Sequence, residues 1–102
     1  MSSIIVHKQT ATVTASGGSA SATVRILSGV LKQLFVEAAT STTTFDVTLV
    51  DIHGLTVYEF LDITGILNEH TDLPAYGNYT LNITNASADE NLTYLLAFLE
   101  QT

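Results

Sequence analysis

Apolar and polar residues alternate along most of this chain, and the alternation is most regular in the last third of the sequence. Tyr79, Leu81 and Ile83 are separated by single polar residues, and turn residues precede this run. A period of two, with β-branched and aromatic residues on one face, predicts a half-buried strand. We expect the apolar run that follows, residues 92–100, to pair with it as an antiparallel hairpin.

The final run, residues 92–100, admits two interpretations. Its leucines recur at the spacing of a helix face, which would suit an amphipathic helix. Thr93, Tyr94 and Phe98 are residue types that favour strands. We therefore predict a strand here and keep a helix as the alternative.

Turn residues divide the rest of the chain into further short strands without intervening helices. Ser28-Gly29 and the segment Asp72–Pro74 are expected to end strands, and Gly54 is expected to supply the positive φ of a tight hairpin turn. The predicted strands cover residues 4–15, 21–27, 30–37, 45–50, 55–61, 65–70, 79–84 and 92–100. Short strands joined by turns predict an all-β fold.

The predicted fold is a single antiparallel β-sandwich, Ig-like or jelly-roll-like, with about seven or eight strands. A chain of 102 residues is expected to form one domain over residues 1–102, with residues 1–6 as an N-terminal arm. The expected core consists of Val13, Val24, Ile26, Leu34, Val36, Phe45, Val47, Leu49, Val57, Tyr79, Leu81, Ile83, Tyr94, Leu96 and Phe98.

Composition narrows the functional classes. The net charge of −7 argues against nucleic acid or an anionic membrane as the main partner. All three Lys and Arg residues lie in the first third, and all acidic residues except Glu37 lie from Asp46 onward, so the two portions are expected to face different neighbours. The start of the chain lacks the apolar core of a signal peptide, which predicts synthesis in a cytoplasm.

The sequence contains no pattern of residues that predicts a chemical reaction. There is no Cys for a disulfide or a thiolate metal site, and no Gly-x-Ser-x-Gly motif for a nucleophile. His7, His53 and His70 are too scattered to predict a metal site, and no Asp-x-Asp-x-Asp-Gly loop is present for Ca²⁺. We therefore expect no enzyme activity, no catalytic or metal-binding residues and no cofactor.

Two runs are apolar on both faces, namely residues 57–61 and 94–99. A strand in a two-layer sandwich needs only one apolar face, so the second face is expected to be covered by a partner. The first residues are also unusually apolar for a free tail, and they suit an arm that adds a strand to a neighbour. The residues expected to contact partners are Ile4, Ile5, Val6, Phe60, Leu61, Leu95 and Leu99.

The chain resembles the small all-β decoration, or cement, proteins that coat the capsids of tailed bacteriophages. The resemblance rests on the size, the lack of Cys, the Thr/Ser/Ala-rich strands, the absent signal peptide and the closing pattern from Leu73-Pro74 through Gly77 to Thr84. It implies a virion structural protein, often a homotrimer, that binds the major capsid protein lattice and staples neighbouring subunits together. That role needs a rigid sandwich and a contact surface rather than an active site.

A binding module is the alternative to a capsid protein. A carbohydrate- or receptor-binding sandwich of a phage tail or cell-surface protein would use exposed aromatic rings as a platform. Tyr58, Phe60 and Tyr76 are the candidates for that platform, and the absence of Trp makes it weaker.

Overall fold

Six strands and no helix are found in the computed structural model, which describes the backbone of residues 4–101 and their side chains except at 4–7, 26–28 and 100–101. No stretch of the described residues forms a helix long and apolar enough to cross a membrane. The strands are β1 (Ile4–Ala15), β2 (Ala20–Ala38), β3 (Thr44–Val50), β4 (Thr56–Thr64), β5 (Ile66–Thr84) and β6 (Glu90–Gln101).

The strands are joined in the order β1-β6-β2-β5-β3-β4, with every pair antiparallel. The long strands β2 and β5 take part in two layers. The first, which we call the β1/β6 layer, consists of β1, β6, residues 29–38 of β2 and the first half of β5, in that order. The second, which we call the β3/β4 layer, consists of residues 20–26 of β2, the second half of β5, β3 and β4, in that order. The predicted antiparallel sandwich is confirmed.

The chain remains a strand through Ser28-Gly29 and through Asp72–Pro74, where the sequence predicted that strands end. The β2–β5 register shifts between Ile26 and Ser28 and again between Leu31 and Gln33, so the strands bend at these irregularities without ending. Pro74 is paired with Val30 in the half of β5 that lies at an edge of its layer, where a missing N–H is tolerated. The structure therefore has six strands instead of the predicted eight, because β2 and β5 each cover two predicted strands.

The inward faces of both layers form one hydrophobic core. Twelve of the predicted core residues are buried there, and Val13 and Val57 are partly buried against it, while the side chain of Ile26 lies outside the described residues. The buried apolar residues that the prediction lacked are Ala15, Leu31, Ala38, Leu67, Ala75, Leu92 and Ala97.

The predicted hairpin between the last two runs is wrong, although both runs are strands. β5 pairs with β2 and β3, whereas β6 pairs with β1 and β2. The connection 85–89 carries the chain from the β3/β4 layer to the β1/β6 layer, and both Asn85 and Asp89 have positive φ there (57° and 60°). The apolar faces of β6 and of the second half of β5 therefore meet across the core instead of lying side by side.

Candidate interaction site

The two ends of the sheet are open edge strands, β1 and β4. An edge strand presents unpaired N–H and C=O groups and is a natural place for contact with another chain. In the β3–β4 pair, Phe45 lies opposite Ile63 and Val47 lies opposite Phe60. Two residues of β4, Leu61 and Asp62, therefore face the single residue Asp46, and this is a β-bulge. Asp62 has φ 55° in this bulge.

The carboxylate of Asp46 holds this bulge in place. One oxygen accepts a hydrogen bond from the Asp62 N–H at 2.9 Å, and the other accepts one from the Asn85 side-chain amide at 2.5 Å. The backbone hydrogen bond, followed by the side-chain one, lowers the pKa of Asp46 below its ordinary value of 3.8. One charged group therefore fixes both the bulge in the edge strand and the start of the connection to β6.

The residues predicted to contact partners do not form one patch. Phe60 is partly buried against the core, and its ring stacks on Tyr58 with centroids 6.0 Å apart. Leu61, the next residue in β4, is 57% exposed. Leu95 and Leu99 are half-buried on the outer face of the other layer, where Leu95 lies between Thr10 of β1 and Phe35 of β2.

The expected arm at the N-terminus is partly described. The backbone of Ile4, Ile5 and Val6 belongs to β1 and pairs with residues 99–101 of the same chain. The side chains of these three residues, and residues 1–3 entirely, lie outside the described residues. Their outer edge remains the edge of the sheet.

A shallow groove of about 430 Å³ lies on the outer face of the β1/β6 layer. Lys8 and Lys32 are among its lining residues, and Ala97 and Leu99 contribute apolar surface. The Lys32 ammonium is paired with the Asp72 carboxylate. Gln33, His70 and Thr71 complete the lining of this basic groove. The sequence prediction missed the groove because its residues come from four strands, although the concentration of lysines near the start of the chain was a signal.

The β3–β4 hairpin displays two apolar side chains at its tip. An oxygen of Asp51 accepts hydrogen bonds from the N–H groups of His53 and Leu55, both at 2.9 Å, and Gly54 has φ 81° as predicted. Ile52 and Leu55 are more than half exposed on this fixed turn. The methyl end of Ile52 lies over Gly77, at 3.2 Å from where a Cβ on that glycine would be.

The aromatic residues do not assemble into an outward platform. Tyr58 and Phe60 pack against the core, and Tyr76, which is 73% exposed, lies on another strand. Within the described part of the chain, no three His, Asp or Glu residues come together as a metal site.

Comparisons with known proteins show the fold and no family. No protein-family model matches the chain, and no curated protein matches it in sequence. The chain is similar to a subunit in the solved structure of Bacillus endospore appendages, a family of disulfide-linked pili (TM-score 0.68, 14% identity, 97% of this chain and 88% of that chain). It is also similar to part of dimeric latent PorU from Porphyromonas gingivalis (TM-score 0.52, 10% identity, 97% of this chain and 13% of that chain). These likenesses establish the fold alone, an all-β sandwich.

Proposed function

We propose that this protein is a non-catalytic structural module of a virion, which coats a viral capsid and stabilises it by binding the major capsid protein lattice. The observation that carries the proposal is the surface of the sandwich. Large apolar side chains at 52, 55, 61, 66 and 76 are at least half exposed, on a sheet whose strand order ends in the open edge strands β1 and β4. Apolar side chains on fixed strands and turns suit contacts with other protein subunits.

The structural likeness to the appendage subunit supports a role in a repeating assembly. That likeness spans nearly the whole of both chains, so the sandwich itself, rather than an added domain, is the shared unit. The appendages are linked by disulfides, whereas this chain has no Cys. Its assembly contacts would therefore not include disulfides, and the exposed apolar residues and open edges are the groups that can make them.

The proposed mechanism is stabilisation by mass action. A module that binds the assembled lattice and not its separated subunits shifts the equilibrium away from disassembly. A homotrimer, as the capsid resemblance implies, would strengthen this effect because each added copy is held by several weak contacts at once. Neither step needs an active site.

The test uses particles from cells that produce this protein. We expect the chain to co-purify with capsids in a fixed ratio, and particles stripped of it to release their genome at a lower temperature. Adding the purified protein back should restore the original release temperature, and Leu61→Asp should restore it less well than the wild type. Absence of the chain from particles would contradict the proposal. Saturable binding to a glycan array that is lost in Tyr76→Ala would favour the carbohydrate-binding alternative instead.

A further inference from the structure

Positive charge is confined to very few places on this protein. The chain has ten acidic residues and only three Lys and Arg residues. Two of those three, Lys8 and Lys32, line the basic groove, and the third, Arg25, is exposed on a strand of the other layer. The groove is therefore the part of the described surface where an acidic partner is least repelled.

The groove combines these charges with apolar surface. Ala97 is only 6% exposed between Lys8 of β1 and Gln33 of β2, and Leu99 is half-buried next to it. Lys32 already has Asp72 as its ion-pair partner, whereas no carboxylate of the described residues pairs with Lys8. Apolar surface beside an ammonium group that no described carboxylate pairs with fits an apolar side chain that is flanked by carboxylates.

The same protein presents such a segment at its far edge. In β4, Leu61 is 57% exposed, Glu59 is exposed two residues before it, and Asp62 is exposed directly after it. We name these three residues the β4 rim. The rim belongs to an open edge strand, and the hydrogen bonds that Asp62 and Asn85 donate to the Asp46 carboxylate fix its conformation.

We propose that the basic groove of one copy binds the β4 rim of a second copy. Leu61 would lie against Ala97 and Leu99, and Glu59 would approach Lys8. This inference rests on the proposed structural role, because it names the contact by which copies associate. Groove and rim lie in different layers at different ends of the strand order, so a copy cannot fill its own groove.

The contact has a consequence for the assembly. Because two different surfaces meet, each copy offers a free groove and a free rim, and association is head-to-tail. Such a contact closes into a ring, such as a trimer, if the rotation between copies is right, and otherwise continues as a filament. Since the contact pairs opposite charges near the surface, salt is expected to weaken it.

The test measures self-association of the full chain by light scattering and sedimentation across a range of protein concentrations at low salt. Lys8→Glu and Glu59→Lys should each weaken association about tenfold or more, because like charges would then face each other. Arg25→Glu is the matched control, since it makes the same change in charge outside the groove, and its effect should stay within about twofold. Circular dichroism and melting temperature verify that each variant is folded.

A charge exchange identifies the pair of surfaces. A chain that carries both Lys8→Glu and Glu59→Lys should regain most of the lost association, because the charges are again opposite. A mixture of the two single variants should also regain association, with the two variants alternating, since the groove of each then meets an oppositely charged rim on the other. Neither result is expected if the substitutions act within one copy.

Several outcomes would overturn the inference. Equal losses in Lys8→Glu and Arg25→Glu would show that only net charge matters, and no rescue by the double variant would show that groove and rim do not meet. A wild-type protein that stays monomeric at every concentration would exclude a second copy as the occupant. If that monomer still binds capsids, the proposed function holds and only this inference fails. If the protein self-associates but does not bind capsids, this inference holds and the proposed function fails.

Discussion

At the scale of single residues, Gly65 connects three parts of the backbone. Its N–H donates to the carbonyl oxygen of Thr43 at 2.8 Å, and its own carbonyl oxygen accepts from the N–H of Ala38 at 2.8 Å. A Cβ at this position would lie 2.5 Å from the carbonyl oxygen of Ser41, and φ is +75°. Both the conformation and the close approach therefore require glycine.

Gly65→Ala should destabilise the protein strongly. The added Cβ meets backbone rather than a movable side chain, so we expect a loss of about 3 kcal/mol or more in the free energy of unfolding. Gly54→Ala is the matched control, because φ is +81° but nothing lies within 4 Å of the added Cβ. It should cost only about 1 kcal/mol. Urea unfolding measures both, and equal losses would disprove the close approach at Gly65.

Asp46 should make the stability of the protein depend on pH in acid. Its pKa is lower in the folded protein than in the unfolded chain, so its contribution is fully present above pH 3.8 and is lost as pH falls through the folded value. Asp46→Asn should be less stable than the wild type near neutral pH, and the difference should narrow in acid. Unfolding curves between about pH 7 and pH 3 measure this. Glu69→Gln is the control, because it removes a charge without breaking either hydrogen bond of Asp46. If the stability difference between the wild type and Asp46→Asn did not change with pH, the lowered pKa of Asp46 would be contradicted.

At the scale of strands, local pattern predicted the strands well and their pairing less well. The alternation gave the bounds of β1 and the inward residues of β3 correctly. It could not show that β2 continues through Ser28-Gly29, because a bulge and a turn use the same residue types. The pairing of β6 depends on residues far away in sequence, and for this reason the expected hairpin was wrong.

The two faces of β6 should differ in their contribution to stability. Leu96 is fully buried between the layers, whereas Leu95 is half-buried on the outer face. Leu96→Ala should cost about 2–5 kcal/mol because it leaves a cavity in the core. Leu95→Ala should cost less, about 1 kcal/mol, since its side chain is only partly buried. Chemical denaturation tests the pair, and a larger loss for Leu95 would reverse the assigned faces.

At the scale of the whole molecule, the candidate site follows from the strand order rather than from any motif. Lys8 and Lys32 are far apart in sequence, and they line one groove because β6 pairs with β1 on one side and β2 on the other. The sequence showed that the bases are concentrated near one end and that Leu61 and Leu99 were candidates for contact. It could not place Leu61 and Leu99 in opposite layers, because that requires the fold.

The pairing of β1 with β6 also determines how the molecule responds to mechanical load. Ile4 lies opposite Gln101, and the two strands run antiparallel to Ala15 and Glu90. A force that pulls these two adjacent strand ends apart breaks the hydrogen bonds between β1 and β6 one pair at a time. β2 and β5 resist differently, because each runs unbroken through both layers and carries tension along its covalent backbone. Neighbours that pull on β2 and β5 would therefore meet a stiff body, whereas those that pull on the start of β1, which pairs with β6 alone, would meet a compliant one.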